Sequence, residues 1–134
     1  METAENKITG GNSMPTRDLI LEYYRSLGQK NDHWQSLYSE DAVFSDASRT
    51  LEARGRDAVL KSFVPFLKRL ESVKIKQMIV EGPAACAIIG YEYVNPRGEK
   101  LNQDVAEVWK VEDEKLAALT IYFDLTAYRA FMRA

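Results

Sequence analysis

The chain is poor in the residues that announce their chemistry most plainly. Its 134 residues include one cysteine and one histidine. A lone cysteine excludes an internal disulfide, and the paired histidine and cysteine motifs of metal sites are absent, as are phosphate-cradling glycine loops. No metal or cofactor is therefore expected. The net charge is only -2 and the basic residues are scattered, so there is no electrostatic footprint for nucleic acid. No apolar run approaches the length of a membrane helix. The N-terminus lacks the charged-then-apolar pattern of a secretory signal, and the expected location is cytoplasmic.

What is present is ordinary for a water-exposed domain: 46% hydrophobic and 28% charged residues. The length suits one domain with a sizeable core. Residues 1–13, ending Thr9-Gly10-Gly11-Asn12-Ser13, are polar and glycine-rich. They are expected to form a flexible tail ahead of a single domain at 14–134, with Met14 as an alternative start. Cys86 sits in an Ala-Ile-rich run and reads as a small buried apolar group. His33, at a helix start, reads as a surface or packing residue.

Hydrophobic spacing then divides the chain in two. Leu19, Ile20, Tyr23, Tyr24 and Leu27 recur at helical spacing between Pro15 and Gly28. Asp32 is expected to cap a shorter helix through Trp34, Leu37 and Tyr38, and Ala42 to Asp46 reads as a short strand. After a loop to Arg54, a third helix runs from Arg56 to Leu70, bent or divided at Pro65. From Val73 the period becomes strand-like. One strand passes through Val73 and Ile79, a second spans Ala84 to Val94, a third Lys100 to Glu112, and a last one ends at Asp124. Leu125 to Met132 reads as a short capping helix. The order implies an α+β fold, a curved antiparallel sheet with three N-terminal helices on its concave face.

Helices laid over a curved sheet leave a cavity, and strand alternation nominates its lining. Phe44 and Asp46 share a face; so do Asp104, Ala106 and Val108, and so do Thr120, Tyr122 and Asp124. The parity of Glu92 is open. Converging carboxylates cannot both ionise cheaply, which supplies an acid and a base without metal or cofactor. Asp124 has a second reading as the cap of the following helix, and Asp46 one as a turn initiator. Asp104 could equally close a strand end near Arg97 or Lys100. Glu107 is expected on an outward face.

The run Leu37-Tyr38-Ser39-Glu40-Asp41-Ala42-Val43-Phe44-Ser45-Asp46, with Tyr24 before it, Gly55-Arg56-Asp57-Ala58-Val59 after it and Tyr122-Phe123-Asp124-Leu125 near the end, resembles the SnoaL-like and limonene-epoxide-hydrolase-like branches of the NTF2-like (cystatin-like, cone-shaped) superfamily. The resemblance covers Met14 to the end. Against ketosteroid isomerase, Asp46 matches the base and Tyr24 the oxyanion-hole tyrosine, while Ala106 stands where a second donor is needed. Against limonene epoxide hydrolase, Asp124 matches one member of the catalytic pair, Glu92 falls near the other, and Gly90 stands where the bridging arginine belongs. Phe44 and Asp46 fall where that enzyme holds its water. The SnoaL-type cyclases require fewer matches.

The resemblance implies a cofactor-independent acid–base enzyme acting on a small, largely apolar molecule: an isomerase, cyclase, dehydratase or hydrolase. Asp46 and Asp124 are the expected acid and base, and Tyr24 the oxyanion donor. Phe44, Phe63, Glu92, Asp104, Trp109 and Tyr122 are the expected substrate contacts. The alternatives are a non-catalytic ligand-binding or dimerisation module, and a protein-interaction module like the nuclear transport factor. Bulky apolar residues on the outer sheet face lead to an expected homodimer.

Overall fold

The computed structural model describes residues 14–133; the expected tail lies outside the described residues. Helix α1, Thr16–Gly28, buries the expected stripe of Leu19, Ile20, Tyr23, Tyr24 and Leu27. Asp18 in its first turn and Arg25 in its last suit the helix dipole. The next segment is a 3-10 turn, His33–Leu37, rather than an α-helix. Asp32 makes no side-chain cap there. Asn31 Oδ1 instead accepts from the His33 amide at 3.1 Å, and Ser26 Oγ accepts from the Trp34 amide at 2.9 Å. These side chains hold the amides of a single tight turn and bury Trp34.

The helix expected over Arg56 to Leu70 is two helices, α2 at Arg56–Ser62 and α3 at Val64–Arg69, parted at Phe63. Pro65 lies in the first turn of α3, where its missing N–H costs nothing. Gly55, ahead of α2, has φ 89° and ψ 144°, a conformation essentially reserved for glycine.

Among the described residues six strands form one sheet in the order β2-β1-β6-β5-β4-β3. They are β1 Tyr38–Asp46, β2 Glu52–Arg54, β3 Leu70–Glu81, β4 Ala84–Val94, β5 Lys100–Glu112 and β6 Lys115–Tyr122. All neighbours are antiparallel except β1 and β6, which run parallel. Strand β2 falls within the expected loop, paired to β1 through Phe44 and Ala53. Register shifts interrupt β3–β4, β5–β6 and β1–β6. Each adds local twist and bends the sheet. Helix α4, Leu125–Met132, follows β6.

The core lies between the concave face and the helices. Tyr23 is its hub, with ring centroids 4.9 Å from Trp109, 5.1 Å from Tyr24 and 5.7 Å from Tyr38, all edge-on. Such pairs contribute about 0.5–1.5 kcal/mol each beyond area burial. Alternation is regular in β4, where Ala85, Ala87, Ile89, Tyr91 and Tyr93 are buried. In β5 the buried set is Val105, Glu107, Trp109 and Val111. This corrects the expected parity of β5. Asp104 and Val108 lie on the outer face, and Glu107 points inward, because the bulk of Trp109 and its two valine companions decides which face is buried. Among the described residues no helix is long and apolar enough to cross a membrane.

Candidate functional site

The concave face, α2, α3 and α4 line an open cavity of about 260 Å³. Phe44 from β1 meets Phe63, at the α2–α3 break, edge-on at 5.0 Å. Phe66 of α3 packs edge-on against Tyr91 of β4 at 5.2 Å, and Tyr91 stacks on Tyr93 at 6.0 Å. Tyr128 of α4 closes the far side against Tyr93 and Phe123. Burial pushes the Tyr128 phenol up to about 12.

Glu107 also lines this cavity and is only 5% exposed. The Tyr24 hydroxyl donates to its Oε1 at 2.5 Å. The Tyr91 hydroxyl lies 3.1 Å from Oε1 and 3.0 Å from Oε2. Trp109 Nε1 donates to the Tyr24 oxygen at 2.9 Å. Burial pushes the Glu107 carboxyl up to about 7, with the two tyrosine hydrogen bonds restraining the rise. The phenols of Tyr24 and Tyr91 are raised well above their ordinary value, by burial and then by the nearby Glu107 charge.

Indole N–H is a donor only. The Tyr24 oxygen must therefore accept from Trp109, and its proton is directed at Glu107 Oε1. Oε2 has the Tyr91 hydroxyl as its hydrogen-bond partner. Behind this cluster the Tyr38 hydroxyl donates to Tyr23 at 3.2 Å, and Tyr23 lines the cavity.

The aspartates expected to do this work are elsewhere. Asp124 is exposed and caps α4, its Oδ1 accepting from the Ala127 amide at 3.0 Å. The expected face of β6 is the outer one: Leu119, Ile121 and Phe123 turn to the cavity, so Asp124 shares the outward parity of Tyr122 before it starts α4. Asp46 is buried but turned into its own loop. Its Oδ1 accepts from the Leu51 amide at 2.7 Å, and its Oδ2 from the Ser48 amide at 3.3 Å and the Ser48 hydroxyl. Burial raises the Asp46 carboxyl, but the Ser48 and Leu51 hydrogen bonds outweigh it and leave the group below its ordinary value. Neither aspartate lines the cavity.

The other expected contacts divide. Phe44 and Phe63 line the cavity. Tyr24 reaches Glu107 rather than open space, and Trp109 stands behind Tyr24, away from the lining. Asp104 is exposed on the outer face, 2.8 Å from Lys76 Nζ. Glu92 is half-buried on that face with Lys100 Nζ at 4.0 Å. Tyr122 is 51% exposed, because Leu119, Ile121 and Phe123 are the residues of this segment that turn to the cavity. Among the described residues no three His, Cys, Asp or Glu side chains are grouped to hold a metal. His33 is exposed beside Glu22 at 3.2 Å, and Cys86 is half-buried.

The solved structures with this architecture share little sequence with the chain. TerC, co-crystallised with polyporic acid, is 16% identical with a TM-score of 0.75, over 90% of this chain and 100% of that one. An NTF2-like protein of unknown function from Cytophaga hutchinsonii is 21% identical with a TM-score of 0.69, over 96% and 99%. SalBIII, an epoxide hydrolase/cyclase-like enzyme of pyran ring formation in the polyether salinomycin, is 14% identical with a TM-score of 0.75, over 83% and 92%. These likenesses establish an NTF2-like fold. No curated protein matches the chain. The family model described as SnoaL-like domain matches residues 20–119, from the buried face of α1 to the centre of β6, and the chain belongs to that family.

Proposed function

We propose that the cavity is the active site of a cofactor-independent acid–base enzyme, and that Glu107 carries the proton. One observation carries this reading: a carboxyl group buried in an aromatic-lined cavity and poised near neutrality. A group with its proton affinity near the working pH is populated in both forms and exchanges protons with little driving-force penalty. The Glu107 carboxyl takes a proton from one atom of the substrate and returns it to another, so that the enzyme ends as it began. That balance suits isomerisation or cyclisation, and with water added or lost it suits hydration or dehydration.

The volume equals that of about nine liquid water molecules, which suits a substrate of one or two rings. The aromatic walls favour a largely apolar skeleton. TerC, co-crystallised with polyporic acid, and SalBIII, with its role in pyran ring formation, lend support as proteins of the same fold. Through the outer sheet face, where Ile79, Val108 and Tyr122 are exposed, the protein assembles as a homodimer.

A second reading has its own observation. Tyr24 and Tyr91 already occupy much of the acceptor capacity of Glu107, as they would in a purely structural polar cluster. The pocket then binds a ligand without turnover. Substitution Glu107→Gln separates the two. The acid–base reading expects loss of about 10²–10⁴-fold in turnover of a responsive substrate and disappearance of the pH limb near 7. Turnover unchanged in that variant would remove Glu107 from the chemistry.

A further inference from the structure

We propose that this cavity binds a small organic cation, an amine in its ammonium form, seated between Glu107 and the surrounding aromatic rings. The proposal rests on the preceding reading only in taking the cavity around Glu107 as the functional site. The described residues lining it include two carboxylates, Glu52 and Glu107, and no lysine, arginine or histidine. Glu52, at the exposed edge strand β2, has its counter-charges in Arg49 at 3.2 Å and Arg54 at 3.9 Å. Among the described residues Glu107 has hydrogen-bond donors but no cation. Tyrosine hydroxyls satisfy its lone pairs without neutralising it, and a buried uncompensated charge is costly. The counter-charge the site lacks is one a ligand can supply.

The walls suit the same ligand. Aromatic faces carry negative potential and attract an ammonium group within about 6 Å, more strongly where water is excluded. Phe66, Tyr91 and Tyr93 form one mutually packed group around the cavity. The groups that face Glu107 add no positive charge. They are the phenols of Tyr23 and Tyr24 from α1, Tyr38 from β1, and Tyr91 and Tyr93 from β4, each made harder to ionise by the Glu107 charge. Where Glu107 is ionised, an anionic ligand meets repulsion here and a neutral one leaves the carboxylate without a counter-charge. A cation favours the ionised carboxylate, so its binding expels the proton from Glu107 where that site is occupied.

Calorimetric titration of the full chain with phenethylammonium, phenethyl alcohol and phenylacetate tests this with one skeleton and three charges. The ammonium ion is expected to bind at least about tenfold more tightly than the alcohol, about 1.4 kcal/mol, and phenylacetate least. Its affinity should rise from about pH 5.5 to about pH 8 while that of the alcohol stays flat. Near neutrality, buffers of different ionisation enthalpy should reveal a released proton. In a folded Glu107→Gln variant the preference for the cation should vanish. Weaker discrimination, a flat pH response, retention of the preference in that variant, or no ammonium binding at millimolar concentration overturns the proposal; the wild-type arms stand alone if the variant does not fold. Turnover that needs Glu107 without any cation preference sinks this proposal and leaves the acid–base reading standing. Cation preference with turnover intact in Glu107→Gln does the reverse.

Discussion

Trp109 and Tyr24 are joined by a hydrogen bond whose direction has only one solution: the indole Nε1 donates and the phenol oxygen, 2.9 Å away, accepts. The Tyr24 proton is thereby committed to Glu107, and that bond restrains the rise in the Glu107 proton affinity. Trp109→Phe frees the Tyr24 hydroxyl to turn, and Tyr24→Phe removes the donor outright. Both should move the Glu107-dependent limb of a pH–rate profile upward, by up to about one unit, with Tyr24→Phe the larger. A downward shift would contradict the assigned direction of the chain. Thermal unfolding should show Tyr24→Phe destabilised by about 1–3 kcal/mol, the cost of stripping a partner from a buried polar group.

Glu107 also ties stability to pH in a direction opposite to the usual carboxylate. Its proton affinity is raised on folding, from an ordinary 4.5 to about 7. Between these values the native state holds the proton and the unfolded chain does not, so stability falls as pH rises through the window. The full effect is about 3 kcal/mol. It is present as stability below the lower value and lost above the higher. Glu107→Gln removes this titration. Denaturation midpoints measured at several pH values should therefore show the variant gaining on the wild type from about pH 5 to about pH 8. A constant difference across that range would show that the carboxyl is not titrating there.

Most elements were legible because their signals are local. The limits of β4 and β5, and those of α4, coincide with the sequence reading, as period and turn residues mark them without tertiary help. Pro65 announced the division of the long helix. Strand β2 was not legible, since three residues cannot display a period and Glu52–Arg54 pairs only because β1 lies beside it. The site failed at a different point. Both faces of β5 carry aliphatic residues, and choosing the face with Asp104 sent Glu107 outward on paper. The usable signal was volume: Val105, Trp109 and Val111 outweigh Ala106 and Val108, and Glu107 travels with them. The aspartates misled because a carboxylate at a strand end has backbone amides close at hand, and both found them.

Asp124 and Asp46 should accordingly prove structural. Asp124→Ala removes a helix cap and should cost about 1 kcal/mol. Asp46→Ala strips an acceptor from the amides of Ser48 and Leu51 and should cost about 1–3 kcal/mol. Because the Asp46 carboxyl lies below its ordinary value, its contribution is present above the unfolded-chain value and disappears in acid, as pH falls through the folded one. Urea titrations at neutral and acid pH measure both effects. Turnover and ligand affinity at neutral pH should stay within about threefold of the wild type for each variant, under 1 kcal/mol. A larger loss in folded Asp46→Ala or Asp124→Ala protein would return these residues to the chemistry.

The outer face of the sheet makes the remaining prediction. Register places Ile79 beside Cys86, Cys86 beside Val108, and Val108 beside Thr120. The next row runs through Gln77, Ile88, Ala106 and Tyr122. Together they form a contiguous, mostly apolar patch in which Ile79 is 60%, Tyr122 51% and Val108 40% exposed. A patch of this kind on a sheet face is covered most economically by a second copy under two-fold symmetry. Sedimentation at micromolar concentration should find a dimer, and Val108→Asp or Tyr122→Asp should shift it to monomer by burying a carboxylate at the contact. Both side chains face away from the cavity, so fluorescence or calorimetric binding of a cavity ligand should survive in the monomer. A wild-type protein that sediments as a monomer, or aspartate variants that remain dimeric, would place the interface elsewhere or remove it.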